Sequence, residues 1–260
     1  MKEINDLNLK DWKNCTARTD SIWVGNFSTL SPRNFGDNKF HSRFHPEIPY
    51  QMMLRYTKEN ETIWDPFAGS GTTIDVGKML NRKVIANDLY PTRDDIISAN
   101  SLIWQPEEKV QLLILHPPYW DIVKYGEHRF DLANSKSLND FLYLFEGVIK
   151  NTFSVLERGR FCSLVIGSIY KDSELVPLDY YCYKIIKDQN AKLKWRIVKD
   201  FGESKGTNKT NAKTENLWKY RRLKYGFGAI QFEHILVFQK GGELKNGLGK
   251  DNTRTLSSKI

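Results

Sequence analysis

One stretch, residues 63–80 (IWDPFAGSGTTIDVGKML), constrains the fold of this chain more than any other. Its first two residues end a short apolar run typical of a buried strand, and the Asp-Pro pair at residues 65–66 terminates that run. Residues 68–71 predict a tight turn, and residues 72–80 predict a helix. A strand, a glycine turn and a helix N-terminus present backbone N–H groups and the positive end of a helix dipole to a ligand. We therefore expect an α/β fold that binds a ligand through the backbone amides of this turn.

The glycine spacing decides between classes of ligand. A P-loop needs four residues between its glycines, but five residues separate Gly71 from Gly77. It also needs Ser or Thr after its lysine, whereas Met79 follows Lys78. The dinucleotide fingerprint needs a third glycine where Ile74 stands, which disfavours a nicotinamide-dependent oxidoreductase. What remains is Asp-x-Phe-x-Gly-x-Gly followed by two threonines.

A second motif lies further along the chain, within residues 111–120. Residues 111–115, QLLIL, predict a buried strand, and residues 116–120, HPPYW, come directly after it. A Pro-Pro pair at the end of a strand makes a rigid turn and leaves carbonyl groups without neighbouring N–H donors. Because parallel strands end at the same edge of a sheet, we expect this turn to lie beside the glycine turn.

The two strings together resemble a known family. DPFAGSGTT resembles the cofactor loop, motif I, of the S-adenosylmethionine-dependent DNA amino-methyltransferases, the N6-adenine and N4-cytosine DNA methylases. HPPYW resembles their motif IV, Asp/Asn/Ser-Pro-Pro-Tyr/Phe, and stands about 50 residues after the glycine loop. The resemblance covers about residues 44–240.

The resemblance implies a fold and a domain plan. The expected fold is α/β, a seven-stranded mixed sheet with helices on both faces, the Rossmann-like class I methyltransferase fold. We expect an N-terminal arm at residues 1–44, a catalytic domain at 45–240 with a basic, irregular insertion at 199–231, and a flexible tail at 241–260. Further strands are predicted at residues 83–88, 161–167, 194–199 and 232–238, and further helices at 44–57 and 177–186 and from residue 138.

S-adenosylmethionine is the cofactor that the resemblance implies, with no metal. HPEIP, residues 45–49, resembles motif X, which closes over the methionine end of the cofactor. Asp88 ends a predicted strand 19 residues after Gly69, a spacing at which α/β folds place an acid on the ribose, although such an acid is also a common helix cap. Asn100 stands where the family often has an acid near the adenine ring. The expected cofactor residues are His45, Pro46, Glu47, Asp65, Phe67, Gly69, Gly71, Thr72, Asp88 and Asn100.

The resemblance assigns the chemistry to the Pro-Pro motif, His116, Pro117, Pro118 and Tyr119. An exocyclic amine is a poor nucleophile because its lone pair is delocalised into the base. Hydrogen bonds to the side chain at position 116 and to the Pro117 carbonyl would localise that lone pair, while Tyr119 would stack on a base that has left the duplex. His116 departs from the usual Asp, Asn or Ser, which removes the guide that separates adenine from cytosine. Adenine N6 is favoured over cytosine N4, and an RNA amino-methyltransferase or a catalytically silent DNA-binding module stays open.

Charge points to a nucleic-acid partner. The net charge is +8, and residues 199–231 hold eight Lys or Arg against three Asp or Glu, interleaved with aromatic residues. We expect this segment and the loop at residues 121–136 to contact double-stranded DNA, although a solvated loop would have a similar composition. The candidate contacts are Lys124, Arg129, Lys213, Arg221 and Arg222.

Other features bound the setting of the protein. Three cysteines without a Cys-x-x-Cys pair argue against a disulfide framework or a zinc site. Neither an apolar export core nor a run of membrane-spanning length is present in the sequence, so we expect a cytoplasmic protein of a bacterial or phage-like, nucleoid-associated kind, without a membrane partner. The family resemblance adds a cognate restriction endonuclease and a homodimer as candidate partners.

Overall fold

A mixed sheet forms the centre of the fold. The computed structural model describes residues 4–24, 30–37, 40, 44–200 and 212–241, with the backbone alone for residues 212–216, 218 and 219. The strands of the sheet are β1 (Ile22–Trp23), β2 (Thr62–Asp65), β3 (Lys83–Asp88), β4 (Ile97–Ser98), β5 (Val110–Leu115), β6 (Leu156–Ile166), β9 (Ala191–Asp200) and β10 (Phe232–Lys240). A small hairpin, β7 (Ile169–Lys171) and β8 (Glu174–Val176), lies outside it. The helices are α1 (Glu47–Tyr56), α2 (Thr72–Met79), α3 (Leu138–Val155), α4 (Leu178–Lys187) and α5 (Ala212–Tyr225).

The strand order confirms the expected class I methyltransferase fold. The sheet runs β1-β9-β10-β6-β5-β2-β3-β4. Strand β10 is antiparallel to both of its neighbours, whereas β5 is parallel to both β2 and β6. From β2 the chain proceeds outward through β3 and β4, and from β5 it proceeds the opposite way through β6. The order therefore reverses between β2 and β5, and such a switch point opens a crevice at the carboxyl ends of the strands.

The described part of the sheet has eight strands, one more than predicted, because the N-terminal arm adds β1 at the edge. β1 pairs in parallel with β9, with Trp23 opposite Lys199. The Trp23 side chain is fully buried and meets the Trp195 ring edge to face at 6.4 Å between centroids. Part of the arm is thus built into the sheet.

Alternation along the central strands divides the core into two layers. Leu113 and Leu115 point to one face of β5, which α3 and α4 cover. Phe141 and Phe145 of α3 pack in this layer. Leu112 and Ile114 point to the other face, which α1 covers. Strand β5 is therefore apolar on both sides, as expected for a central strand between helical layers.

The longest helix, α3, begins as predicted. The Ser137 side chain caps it by accepting a hydrogen bond from the backbone N–H of Asp140 at 3.1 Å.

Among the described residues, the length and apolar character that a membrane-crossing helix needs do not occur together in any helix.

The prediction of an irregular insertion at residues 199–231 is wrong in part. Strand β9 continues to Asp200, and residues 212–225 form the helix α5. The helix sequence AKTENLWKYRRLKY is rich in good helix formers but has no clear apolar stripe, so periodicity did not reveal it. Residues 201–211 lie outside the described residues.

Candidate active site

A cavity of about 430 Å³ opens at the switch point between β2 and β5. Phe67 and Gly69, from the turn after β2, line it together with His116 and Tyr119, from the turn after β5. The expected meeting of the glycine turn and the Pro-Pro motif at one edge of the sheet is therefore observed. The volume lies within the usual range for small-molecule sites.

The glycine turn is held by hydrogen bonds to the ends of neighbouring strands. Gly69 and Gly71 have φ angles of 49° and 80°, and the second immediately precedes α2. The N–H of Gly69 donates to Oδ2 of Asp88 at 2.9 Å, and the N–H of Tyr90 donates to Oδ1 at 2.9 Å. Asp88 also lines the cavity. A carboxylate has about four acceptor sites, so it can hold this turn and still bind a ligand hydroxyl.

The backbone amides of the turn are used within the protein. The N–H of Phe67 donates to Oδ1 of Asp65 at 3.0 Å, and the N–H of Ala68 donates to the Asn87 carbonyl at 3.1 Å. With the Gly69 bond to Asp88 and a bond from the Gly71 N–H to the Ala68 carbonyl, four of the N–H groups at residues 67–71 have acceptors inside the fold. These four N–H groups are therefore occupied within the protein, which argues against the expectation that they hold the ligand.

Three predicted cofactor residues, Asp65, Gly71 and Thr72, lie behind the cavity wall. Asp65 is buried, and burial raises the pKa of its carboxyl to about 7. The hydroxyl groups of Thr72 and Ser70 are hydrogen-bonded to each other at 3.0 Å. The polar groups of Asp65, Gly71 and Thr72 are thus hydrogen-bonded within the turn, and we assign these residues a role in its shape. Asn100 does line the cavity, and its Oδ1 accepts the N–H of Leu102 at 2.9 Å.

The HPEIP segment lies beside the cavity, and its three predicted residues do not line it. Glu47 is buried and accepts a hydrogen bond from Nε2 of Gln51 at 2.8 Å within α1. Burial and the nearby Lys199 ammonium lower the pKa of His45 to about 4. Pro46 is buried at the start of α1.

Two aromatic residues just before this segment line the cavity instead. The Phe44 ring stacks on the His116 imidazole with centroids 4.9 Å apart. The Phe40 ring lies against Gly69, where a Cβ would come within 3.1 Å of it. Motif spacing alone did not indicate these two residues, which belong to the predicted N-terminal arm at residues 1–44.

His116 is half-buried between aromatic rings. Besides the stacked Phe44 ring, the Tyr119 ring meets it edge to face at 5.8 Å between centroids, and all three residues line the cavity. Burial lowers the pKa of the His116 imidazole below its ordinary value; the Glu233 carboxylate opposes this effect and Lys199 adds to it. The imidazole is therefore neutral at neutral pH and retains an acceptor nitrogen.

Glu233, at the start of β10, also lines the cavity and was missed in the sequence. The Tyr119 hydroxyl donates to its Oε2 at 2.7 Å, and the Lys199 ammonium donates to its Oε1 at 2.6 Å. Burial alone would raise the pKa of Glu233, but Lys199, His116 and these hydrogen bonds hold it below the ordinary value. The sequence did offer a signal for Glu233, because it is an acid at the head of the predicted strand 232–238. An antiparallel strand starts at the edge of the sheet where its parallel neighbours end, which is the edge where the cavity lies.

The loop after the Pro-Pro motif covers the cavity. Tyr125 stacks on Phe40 with ring centroids 5.9 Å apart and planes 11° apart, which joins the loop to the arm. The N–H of His128 donates to the Tyr90 hydroxyl at 2.8 Å. Gly126 lies so close to the Tyr90 ring that a Cβ at this position would overlap it. The loop is thus fixed by contacts at both sides of the cavity.

The predicted nucleic-acid residues lie outside the cavity, on the surface where they are described. Lys124, Arg129 and Arg221 are exposed, and Arg222 is partly exposed. The Arg129 guanidinium lies over the Phe130 ring at 4.2 Å. The Lys213 side chain lies outside the described residues.

Among the side chains that the structure describes, no three His, Cys, Asp or Glu are grouped so that they could hold a metal ion.

Parts of the chain are similar to known proteins. Residues 2–98 match the family described as DNA methylase. The resemblance to the DNA amino-methyltransferases is confirmed. Over 90 residues the chain is 38% identical to the Type II methyltransferase M2.LlaDCHI of Lactococcus lactis subsp. cremoris and 34% identical to M2.DpnII of Streptococcus pneumoniae. Each match covers 34% of this chain and 29% of the relative, so the chain matches less than a third of the length of these methyltransferases. TrmN from Thermus thermophilus superposes with a TM-score of 0.47 and 14% identity, covering 77% of this chain and 50% of that one.

Proposed function

We propose that this protein is a DNA methyltransferase that moves a methyl group from S-adenosylmethionine to the exocyclic amine of a base. The carrying observation is that the DPFAGSGTT turn and the HPPYW turn line one cavity at the switch point of the sheet. The match to DNA methylases and to Type II methyltransferases supports DNA as the substrate. Adenine N6 is the favoured acceptor, with cytosine N4 as the alternative.

The cavity fits S-adenosylmethionine by the chemistry of its wall. Asp88 would bind the ribose hydroxyls, since its carboxylate is fixed by two backbone N–H groups and faces the cavity. Asn100 would lie at the adenine end. The stacked pair of Phe40 and Tyr125 would exclude water above the ligand. When bound, the cofactor supplies a methyl group on a positively charged sulfur.

The Pro-Pro motif would activate and hold the amine. Neutral His116 can accept a hydrogen bond from it, and the Pro117 carbonyl can accept another, which would draw the lone pair toward the methyl carbon. Tyr119 would stack on the base. The base must first leave the duplex, which costs a few kcal/mol of unstacking and unpairing. In-line transfer then depends chiefly on positioning.

Duplex binding would use the surface around the cavity. The net charge of +8 favours a polyanion, and the exposed Lys124, Arg129 and Arg221 offer phosphate contacts. A restriction endonuclease of the same system is a further proposed partner, since the curated relatives are Type II methyltransferases.

The test is incubation with S-adenosylmethionine and unmethylated plasmid DNA, followed by mass spectrometry of the released nucleosides. We expect N6-methyladenine; N4-methylcytosine would move the acceptor to the alternative base. A parallel reaction with an RNA transcript separates the two polymers. Binding of the cofactor without any methylated nucleoside would contradict the proposal and favour a silent DNA-binding module, an interpretation that the unusual His116 admits.

A further inference from the structure

A group of four polar side chains lies behind the base-binding end of the cavity, and we name it the Glu233 cluster: Glu233, Lys199, Tyr119 and His116. Glu233 accepts from the Tyr119 hydroxyl at 2.7 Å and from the Lys199 ammonium at 2.6 Å. Glu233 and Lys199 are 8% and 11% exposed, so this is an almost fully buried ion pair. It brings β9 and β10 together with the segment after β5.

A purely structural role does not account for this arrangement. Glu233 and Lys199 face each other as partners in the β9–β10 ladder, where backbone hydrogen bonds already join the strands. Burying an ion pair is costly, and apolar residues of similar size often serve stability as well or better. The carboxylate instead extends to the cavity wall and holds the phenol of the residue expected to stack on the base.

The cluster also supplies a charge that the motif itself lacks. Motif IV of the DNA amino-methyltransferases begins with Asp, Asn or Ser, and of these Asp carries a negative charge. His116, at the same position here, is neutral at the pH where it can accept a hydrogen bond. Glu233 and His116 line the same cavity, and Tyr119 links them: its ring contacts the imidazole and its hydroxyl donates to Glu233. The carboxylate is therefore close enough to act on the His116 imidazole electrostatically. Among the described residues, the groups around His116 include Glu233 from β10, Lys199 from β9, Tyr119 from its own segment and the Phe44 ring from the arm.

We propose that Glu233 is a positioning residue for methyl transfer, which fixes Tyr119 against the target base and places a negative charge beside His116. This inference rests on the proposed function. In the reaction the amine nitrogen forms a bond to the methyl carbon, while the carbon–sulfur bond breaks and leaves its electron pair on sulfur. The amine nitrogen, now positively charged, releases a proton to the His116 imidazole. The Glu233 carboxylate stabilises the resulting imidazolium, as a preoriented charge does in a water-poor site.

The experiment compares three variants that alter the cluster in different ways. Glu233→Gln removes the charge and keeps the shape; Tyr119→Phe removes only the hydroxyl. Because Glu233→Gln removes the carboxylate that faces the buried Lys199 ammonium, the double variant Glu233→Gln/Lys199→Gln guards against misfolding. Glu174→Gln, at an exposed site in β8, is the control for loss of one carboxylate.

The readouts are S-adenosylhomocysteine affinity by calorimetry, single-turnover methyl transfer against pH, and the His116 titration by NMR. In the Glu233 variants we expect affinity within about threefold of wild type and transfer slower by about tenfold or more, the size of one charged hydrogen bond. In Glu233→Gln the acid limb of the pH profile and the His116 titration should both move to lower pH, because the carboxylate favours the imidazolium. In the double variant the loss of Lys199, whose charge lowers the His116 pKa, opposes that shift, so this variant tests the rate alone. Tyr119→Phe should slow transfer without moving the titration.

A wild-type transfer rate in the double variant, or an unmoved acid limb in Glu233→Gln, would overturn the inference. If wild-type protein methylates no nucleic acid, the proposed function fails, and the NMR titration still tests the cluster. An unchanged His116 titration in Glu233→Gln would then show that the carboxylate does not act on His116.

Discussion

The backbone N–H of Gly69 donates a 2.9 Å hydrogen bond to Oδ2 of Asp88, a residue 19 positions later in the chain. The bond joins the turn after β2 to the end of β3, so one carboxylate both shapes the glycine turn and faces the cavity. A structural role and a ligand-binding role therefore meet in Asp88, and they can be separated by experiment.

Asp88→Ala should weaken binding of S-adenosylhomocysteine by about tenfold or more and lower the free energy of unfolding by about 1–3 kcal/mol, since the buried Gly69 N–H loses its acceptor. Asp88→Asn keeps an oxygen for that N–H, so it should recover much of the stability while binding remains weak. Calorimetry and denaturant unfolding measure the two effects. Asp94→Ala, an exposed carboxylate nearby in sequence, is the control. Unchanged affinity in Asp88→Ala would remove this carboxylate from the ligand site.

Local sequence chemistry accounts for what could be predicted. The strand-turn-helix at residues 63–80 and the rigid HPPYW turn are set by glycines, prolines and apolar runs that act within a few residues. Such signals place the two turns correctly at one edge of the sheet. They also give the strand Lys83–Asp88 with its observed bounds.

What could not be predicted depends on pairing between distant segments. Glu233 reaches the cavity because β10 runs antiparallel between β6 and β9, which brings its first residues to the carboxyl edge of the sheet. Phe40 and Phe44 reach it because the arm crosses the glycine turn, where the N–H of Asp37 donates to the Ser70 carbonyl at 2.8 Å. The sequence shows an acid at the head of the predicted strand 232–238, but only the pairing of β10 with its neighbours brings it to the cavity.

Arg221 and Arg222, in α5, are expected to bind DNA phosphates. Removing one arginine–phosphate interaction should reduce the slope of log affinity against log salt by roughly 0.9 on duplex DNA, because one counterion fewer is released on binding. Arg221→Ala/Arg222→Ala should therefore flatten the slope measured by fluorescence anisotropy. The control is Lys187→Ala/Lys192→Ala, which removes two exposed charges at the end of α4 and the start of β9, the edge of the sheet opposite the cavity. Equal slopes for wild type and the arginine variant would place both side chains on a solvated face.

The buried Asp65 carboxyl should make stability fall as pH rises. Burial raises its pKa in the folded protein to about 7, whereas the unfolded value is 3.8. Between these values the folded state binds the additional proton, so this contribution is present at low pH and is lost as pH rises toward about 7, by about 1.4 kcal/mol per pH unit. Relative to wild type, Asp65→Asn should therefore become more stable as pH rises from about 4 to about 7 in denaturant unfolding, with a constant difference above that range. Asp94→Asn, which changes an exposed carboxylate, is the control, and a parallel course of wild type and Asp65→Asn with pH would contradict the assignment.

The last prediction concerns the protonation of His116 in methyl transfer. Only the neutral imidazole has an acceptor nitrogen for the amine, so single-turnover transfer should fall when His116 becomes protonated. Burial lowers its pKa, which places the acid limb below the ordinary histidine value of about 6.5.

His116→Asp tests this directly, because aspartate is one of the residues with which motif IV of the DNA amino-methyltransferases usually begins. Its reference pKa is about 3.9, so a folded and active variant should keep transferring at a pH where wild type has stopped. Both profiles are measured in single turnover at saturating DNA and cofactor. His128→Asn serves as the control, since this exposed imidazole lies in the loop beyond the cavity wall and its loss should leave the limb in place. Coincident limbs for wild type and His116→Asp would show that another group accepts the amine hydrogen bond beside the Pro117 carbonyl.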